Sequence, residues 1–279
     1  MNRDDSPRFR NLASLSTPRL QLCRPHPSLA HLAFRYGVVE FSHEASDFHF
    51  PELGPIIAVP LRGDCFIGPG RAAPVCALTG LSEAIRHHWH GPNSAVAFIH
   101  LRPTSLAGFL GMDGADVCGQ TIELSALDGR WSRTPKFAEK LHASKGNQES
   151  FRLIDQFLSG VAETSTVDTR IFRAIRYLAS SPRKSIHQIA DQIGCSQSAL
   201  ERSFRKATGL TPKRFQALSR FHHAVNLAKS GTSLSMSAVE AGFADQSHFI
   251  REFRRFADLA PKEAMTRTPQ NADFVQSAR

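Results

Sequence analysis

The chain has 279 residues, 41% of them apolar and 21% charged, and carries a net charge of +9 at neutral pH. That length suits two domains, each with a core of its own. No run of about 18 apolar residues occurs, which argues against a membrane partner. Five scattered cysteines (Cys23, Cys65, Cys76, Cys118 and Cys195) form no Cys-x-x-Cys pair, so they predict neither a zinc site nor a disulfide framework but reduced thiols in a cytosolic protein. The polar opening residues, 1–8, lack the apolar core of a signal peptide. Charge is unevenly spread: residues 170–279 hold 18 Lys and Arg against 8 Asp and Glu, whereas residues 1–169 hold 16 against 17. A basic segment joined to a neutral one is the electrostatic footprint of a nucleic-acid-binding domain with an attached partner domain.

In chain order, residues 1–28 are polar and carry Pro7, Pro18, Pro25 and Pro27, and read as a poorly ordered lead-in. Residues 29–132 hold short β-like segments at 32–41, 56–61, 65–67, 75–78, 95–101 and 122–124, separated by Gly and Pro clusters. Many short strands with turn signals between them predict a β-sandwich or small barrel. Thr104–Gly111 reads as a short helix inserted in it. Residues 133–166 turn helical, with Phe151, Ile154, Phe157, Leu158 and Val161 on one stripe, facing either the β domain or a second subunit. The polar run at 163–166 reads as a hinge.

Residues 167–267 read as helices throughout, and residues 268–279 as a disordered tail. Ser185 and Gln188 have capping-box spacing. Gly194 suits a tight turn because only Gly takes positive φ without penalty, and Ser196 then caps a helix through Lys206. Thr211-Pro212 opens a helix running to about Lys229. A second copy of the device follows. At an offset of 49, Gln197 matches Gln246, Arg202 matches Arg251, Phe204 matches Phe253, Arg205 matches Arg254, Lys206 matches Arg255, Leu210 matches Leu259 and Pro212 matches Pro261.

Helix, tight turn and capped helix form a helix-turn-helix, whose second helix enters the DNA major groove. With Leu200 and Phe204 facing inward, the first copy presents Ser198, Glu201, Arg202 and Arg205. With Phe249 and Phe253 inward, the second presents Gln246, Ser247, His248, Ile250, Arg251 and Arg254. Arg pairs bidentately with guanine, Gln with adenine, and Glu accepts from cytosine, each good pair discriminating by about 1–3 kcal/mol. Lys206, Lys213, Arg214 and Arg255 lie at or beyond the helix ends and suit phosphates. The intervening helix, at 1.5 Å per residue, spans roughly 27 Å, a strut able to hold two recognition helices about one DNA turn, ~34 Å, apart.

These residues carry a specific resemblance. The block from Ile189-Ala190 through Gly194, Leu200, Arg202, Phe204 and Pro212, then from Gly242-Phe-Ala-Asp-Gln-Ser-His-Phe249 through Arg251, Phe253 and Pro261, resembles the AraC/XylS family of bacterial transcription regulators. The resemblance covers about 168–267. It implies a seven-helix all-α domain with two helix-turn-helix motifs, double-stranded promoter DNA as partner, transcriptional activation and contact with RNA polymerase. Two positions depart from the family pattern: Ser237 stands where an isoleucine is usual, and Asp258 where a glycine is.

Relatives in that family often carry a cupin-like β domain that binds a small effector or forms a homodimer, and the composition of 29–132 is compatible with one. His87, His88 and His90 invite a metal reading, with a cupin-type metal-dependent enzyme fused to a DNA-binding module as the alternative function. Strand alternation, however, puts His87 on the opposite face from His88 and His90. No carboxylate follows His90 within four residues, and Glu52, which follows His49, lacks a second His at the right spacing. The sequence therefore predicts no metal, cofactor or catalytic residue, and a regulator rather than an enzyme. Tyr36, Phe48, Phe50 and Trp89 could line an apolar ligand pocket or simply fill the core.

Overall fold

The computed structural model describes residues 18–68, 71–127, 129–162 and 168–267. The N-terminal half holds two antiparallel sheets. Strands β1 (Arg19–Cys23), β2 (Ala33–Phe41), β4 (Ile56–Arg62), β6 (Ala77–Thr79), β8 (Ser94–Leu101) and β9 (Thr121–Glu123) form one, in the order β1-β2-β8-β4-β6-β9. Strands β3 (Ala45–His49), β5 (Cys65–Ile67) and β7 (Arg86–His90) form the other, in the order β3-β7-β5. The sheets face one another, and the Phe41 ring of the larger stacks on His90 of the smaller at 4.0 Å.

The lead-in expectation is corrected over part of its length. Arg19–Cys23 pairs with β2 from Arg19↔Glu40 to Cys23↔Tyr36, because its alternating Arg-Leu-Gln-Leu pattern suits an edge strand and β2 offers it a free ladder. Pro27–Leu29 forms a 3-10 turn capped by His26, whereas residues 1–17 lie outside the described residues, as do the 163–166 hinge and the 268–279 tail. The short inserted helix expected at Thr104–Gly111 is present as a single π-helical turn, Leu106–Leu110, closed by Gly111 at φ 69°. Its Leu106 and Phe109 are buried.

Helices α1 (Gly114–Val117), α2 (Thr134–His142) and α3 (Asn147–Ala162) follow. The apolar stripe of α3 packs within the chain. Phe157 stacks on Phe137 at 4.0 Å, and Asp155 accepts the Tyr36 hydroxyl at 2.9 Å.

Seven further helices complete the described chain: α4 (Thr169–Ser180), α5 (Ile186–Ile193), α6 (Gln197–Thr208), α7 (Pro212–Lys229), α8 (Leu234–Glu240), α9 (Gln246–Ala257) and α10 (Pro261–Arg267). Six consecutive starts are capped by side chains that accept a backbone N–H: Asp168, Ser185, Ser196, Thr211, Ser233 and Asp245. Each such cap is worth about 1 kcal/mol. Ser185 and Gln188 form the full capping box. One contiguous apolar core runs from Leu29 to Ala264 and joins the two halves. At their junction Phe50 packs edge-on against Phe221 and Phe253, with centroids 5.2 and 6.1 Å away.

Candidate nucleic-acid interface

The repeat seen in the sequence is a repeat of structure. Helices α6 and α9 each have 12 residues, and both ends are offset by 49. Their caps correspond: Ser196 and Asp245 accept at the N-termini, and Gly209 (φ 83°) and Asp258 (φ 53°) close the C-termini in the left-handed region. Asp is among the few non-Gly residues that take this conformation readily. Leu200 and Phe204 of α6, and Phe249 and Phe253 of α9, are all buried. Helix α7 lies between the two units, with Phe215 against Phe204 and Phe221 against Phe253 at centroid distances of 5.4 and 4.9 Å. Ser237 is fully buried and donates its hydroxyl to Thr232 O at 3.4 Å, so the small residue at this position brings its own hydrogen bond.

Core-facing residues at i and i+4 turn the remaining faces outward. Ser198, Glu201, Arg202, Arg205 and Lys206 are exposed on α6, and Gln246, Ser247, Arg251 and Arg254 on α9. Two expected contacts are only half exposed. Ile250 packs against the core, and His248 lies edge-on to Phe243 at 5.5 Å. Gln197 donates to Glu201 at 2.9 Å, which orients that carboxylate along the helix.

The residues expected at phosphates divide. Lys206 and Lys213 are exposed. Arg214 and Arg255 instead both pair with Glu83 of the β domain, Arg214 at 3.1 Å, and Arg255 also meets Glu252 at 3.4 Å. Sequence reading missed Glu83 because its partners are more than 130 positions away.

A helix-turn-helix domain model matches residues 189–267. That range takes in both recognition helices, α6 and α9. The HTH-type transcriptional activator RhaS of Klebsiella pneumoniae (strain 342) is 32% identical over 109 residues, 38% of this chain and 39% of that protein. The bifunctional transcriptional activator/DNA repair enzyme Ada of Escherichia coli (strain K12) is 32% identical over 94 residues, 34% of this chain and 27% of that protein. Over this stretch the chain is thus similar to helix-turn-helix transcriptional activators. The chain spans less than two-fifths of the length of these two relatives. A solved structure of ToxT from Vibrio cholerae shares the fold across 84% of this chain and 98% of its own, with a TM-score of 0.50 and 15% identity.

The helical half also borders a cavity of about 170 Å³ between the two sheets. Val39, Phe41, Phe48, Phe50, Phe66 and Phe98 supply much of its apolar wall, and His222 and Lys229 of α7 reach it from the helical side. Phe48 and Phe50 line it, so of the two readings the sequence left open for them the pocket is the one the structure favours. Trp89 and Tyr36 serve elsewhere: Trp89 donates to Glu44 at 2.8 Å, and Tyr36 is tied to Asp155.

Three buried polar groups, Glu52, His100 and His222, line the cavity. Burial pushes the Glu52 carboxyl up to about 8, against the opposing pull of Arg35, His49 and Lys229, so it is protonated at neutral pH. Its Oε2 has no hydrogen-bond partner, and the His100 Nδ1 at 3.9 Å is too distant to be one. Burial, then Arg35 and His49, holds His100 well below the usual histidine range. His222 lies with Nε2 2.6 Å from the Pro51 carbonyl, which can only accept, so Nε2 carries the proton. Burial lowers this imidazole to about 4, leaving Nδ1 as a bare acceptor with no hydrogen-bond partner.

Strand β7 turns His88 and His90 toward the cavity, and His87 is exposed. Among the described residues no three His, Cys, Asp or Glu side chains form a metal-ligand group.

Proposed function

We propose that the chain is a sequence-specific transcription regulator, not an enzyme, that reads two adjacent major-groove segments of duplex promoter DNA with α6 and α9. One observation carries the reading: two basic helices, capped at corresponding positions and with their basic faces outward, are held on one strut, α7. Exposed arginines at matched positions, Arg202 and Arg251, suit base edges, and Lys206 and Lys213 suit phosphates. Relatives named as transcriptional activators support activation as the sign of regulation, with RNA polymerase as a further partner.

The cavity is the best candidate for an effector site. It is apolar with few convergent polar groups, the usual character of a small-molecule site. Its wall includes the strut itself, so an occupant would touch the element that spaces the recognition helices. Selection of bound sequences from random duplex DNA tests the core reading: enrichment of paired half-sites about one helical turn apart supports it, and no enrichment overturns it. A thermal-shift screen with small apolar metabolites tests the effector, since a ligand that binds only the native state raises stability.

A further inference from the structure

The side chain of Glu83 is mostly covered, yet it meets two guanidinium groups from different helices of the DNA-binding domain: Arg214 in the first turn of α7 and Arg255 at the end of α9. The arginines themselves are 59% and 41% exposed, so solvent and polyanions can reach them. The loop carrying Glu83 is not free to wander. Gly80 N donates to Gln120 O at 3.1 Å, and Gly119 N donates to Leu81 O at 2.7 Å. Those bonds fasten it to the segment just after α1. Helix α1 itself is docked on the end of α6 by direct backbone packing: a Cβ on Gly114 would fall on the Gly209 backbone, and one on Gly209 would fall on Gly114. Cys118, in the same seam, lies within the electrostatic reach of Glu83, Arg214, Arg205 and Arg86. The β domain therefore presents a single, rigidly mounted carboxylate to a cluster of cations.

We propose that Glu83 is an intramolecular stand-in for a DNA phosphate, so that duplex DNA and the β-domain seam compete for Arg214 and Arg255. The proposal rests on the reading of those arginines as phosphate contacts. A carboxylate and a phosphate oxygen make the same charge-assisted bond to a guanidinium, and neither arginine can neutralise both at full strength. Docking then weakens DNA binding and DNA weakens docking, as reciprocal coupling requires. The device sets a threshold without any change in the recognition faces of α6 and α9, and anything that loosens the seam lowers it.

The test uses the full chain and a duplex selected from random DNA by wild type and by Glu83→Gln in parallel. Partly exposed ion pairs are worth up to about 1 kcal/mol each, so Glu83→Gln should bind roughly three- to tenfold more tightly. The control is Glu139→Gln, an equal change of charge on the exposed face of α2, and it should leave affinity within about twofold. Truncating Arg214 and Arg255 together to Ala should cost more affinity in the Glu83→Gln background than in wild type, because only there are both guanidiniums available to phosphate. Equal affinities for wild type and Glu83→Gln, an equal gain in Glu139→Gln, or an equal cost of the arginine truncations in both backgrounds would each overturn the proposal. Selection by Glu83→Gln but not by wild type supports it in its strongest form. Failure of both chains to select any duplex removes the DNA-binding reading itself, and the proposal with it.

Discussion

Replacing Glu52 by Gln isolates the energetic cost of one buried carboxyl in the cavity wall. The folded chain holds the Glu52 proton to about pH 8, whereas an unfolded chain releases it near 4.5. Its contribution to stability is therefore intact below about pH 4.5 and drains away as pH rises toward 8, because the unfolded state loses the proton first. Each pH unit of that window is worth about 1.4 kcal/mol, so the whole window sets a ceiling of about 5 kcal/mol. Local relaxation and water entry reduce such penalties in real proteins, and we expect about 2–3 kcal/mol between pH 5 and pH 8. Gln keeps the size and the hydrogen-bonding character but does not ionise. Glu52→Gln should match wild type near pH 5 and exceed it increasingly above, by roughly 4–12 °C in melting temperature at pH 8. The fall in stability from His222 acts in the opposite direction, between about 6.5 and about 4, and cancels in the comparison of the two chains. Thermal melts of both proteins at pH 5, 6.5, 8 and 9 provide the measurement. A difference in melting temperature that stays constant across that range would mean the carboxyl ionises in the folded state as it does in water, and the reasoning from burial would be refuted.

Four further outcomes are expected. Arg251→Ala should weaken binding to the selected duplex by about 1–3 kcal/mol and relax sequence preference at the base it contacts; an unchanged gel-shift titration would remove Arg251 from the reading face. Asp258→Gly should stabilise the fold by up to about 1 kcal/mol in chemical denaturation, because position 258 sits at φ 53° and Gly carries no left-handed penalty. Asp245→Ala removes the cap of α9 and should cost about 1 kcal/mol in the same assay, with no loss if the helix start is frayed. Phe221→Ala, at the junction with Phe50, Phe253 and Phe256, should cost about 3–5 kcal/mol and lower the melting temperature of both halves together if they share one core.

The C-terminal domain was legible in the sequence because its determinants are local. Helix caps act over three residues, left-handed turns over one, and amphipathic spacing over four, so Ser196, Gly194, Leu200 and Phe204 announce a unit that the copy at Asp245, Phe249 and Phe253 repeats. The outward faces followed from the same spacing, and only Ile250 and His248 are drawn partly inward by neighbours that periodicity does not see. The β half was legible as short strands with turns between them. Its sheet order, the recruitment of Arg19–Cys23 and the pairing of Ala45–His49 with Arg86–His90 were not, because strand pairing is a contact between distant segments and leaves only a period-two pattern in each. The same reason hides the cavity. Phe48 and Phe50 read alike as core or as pocket, and Glu52, His222 and Lys229 have no common signature until the fold brings β3's end and α7 together. The sequence by itself thus determined two copies of a basic, capped helix-turn-helix unit. Tertiary structure alone decided that one arginine of the second unit and one of the strut face Glu83 and that the strut walls a cavity, since both depend on how two independently readable halves pack.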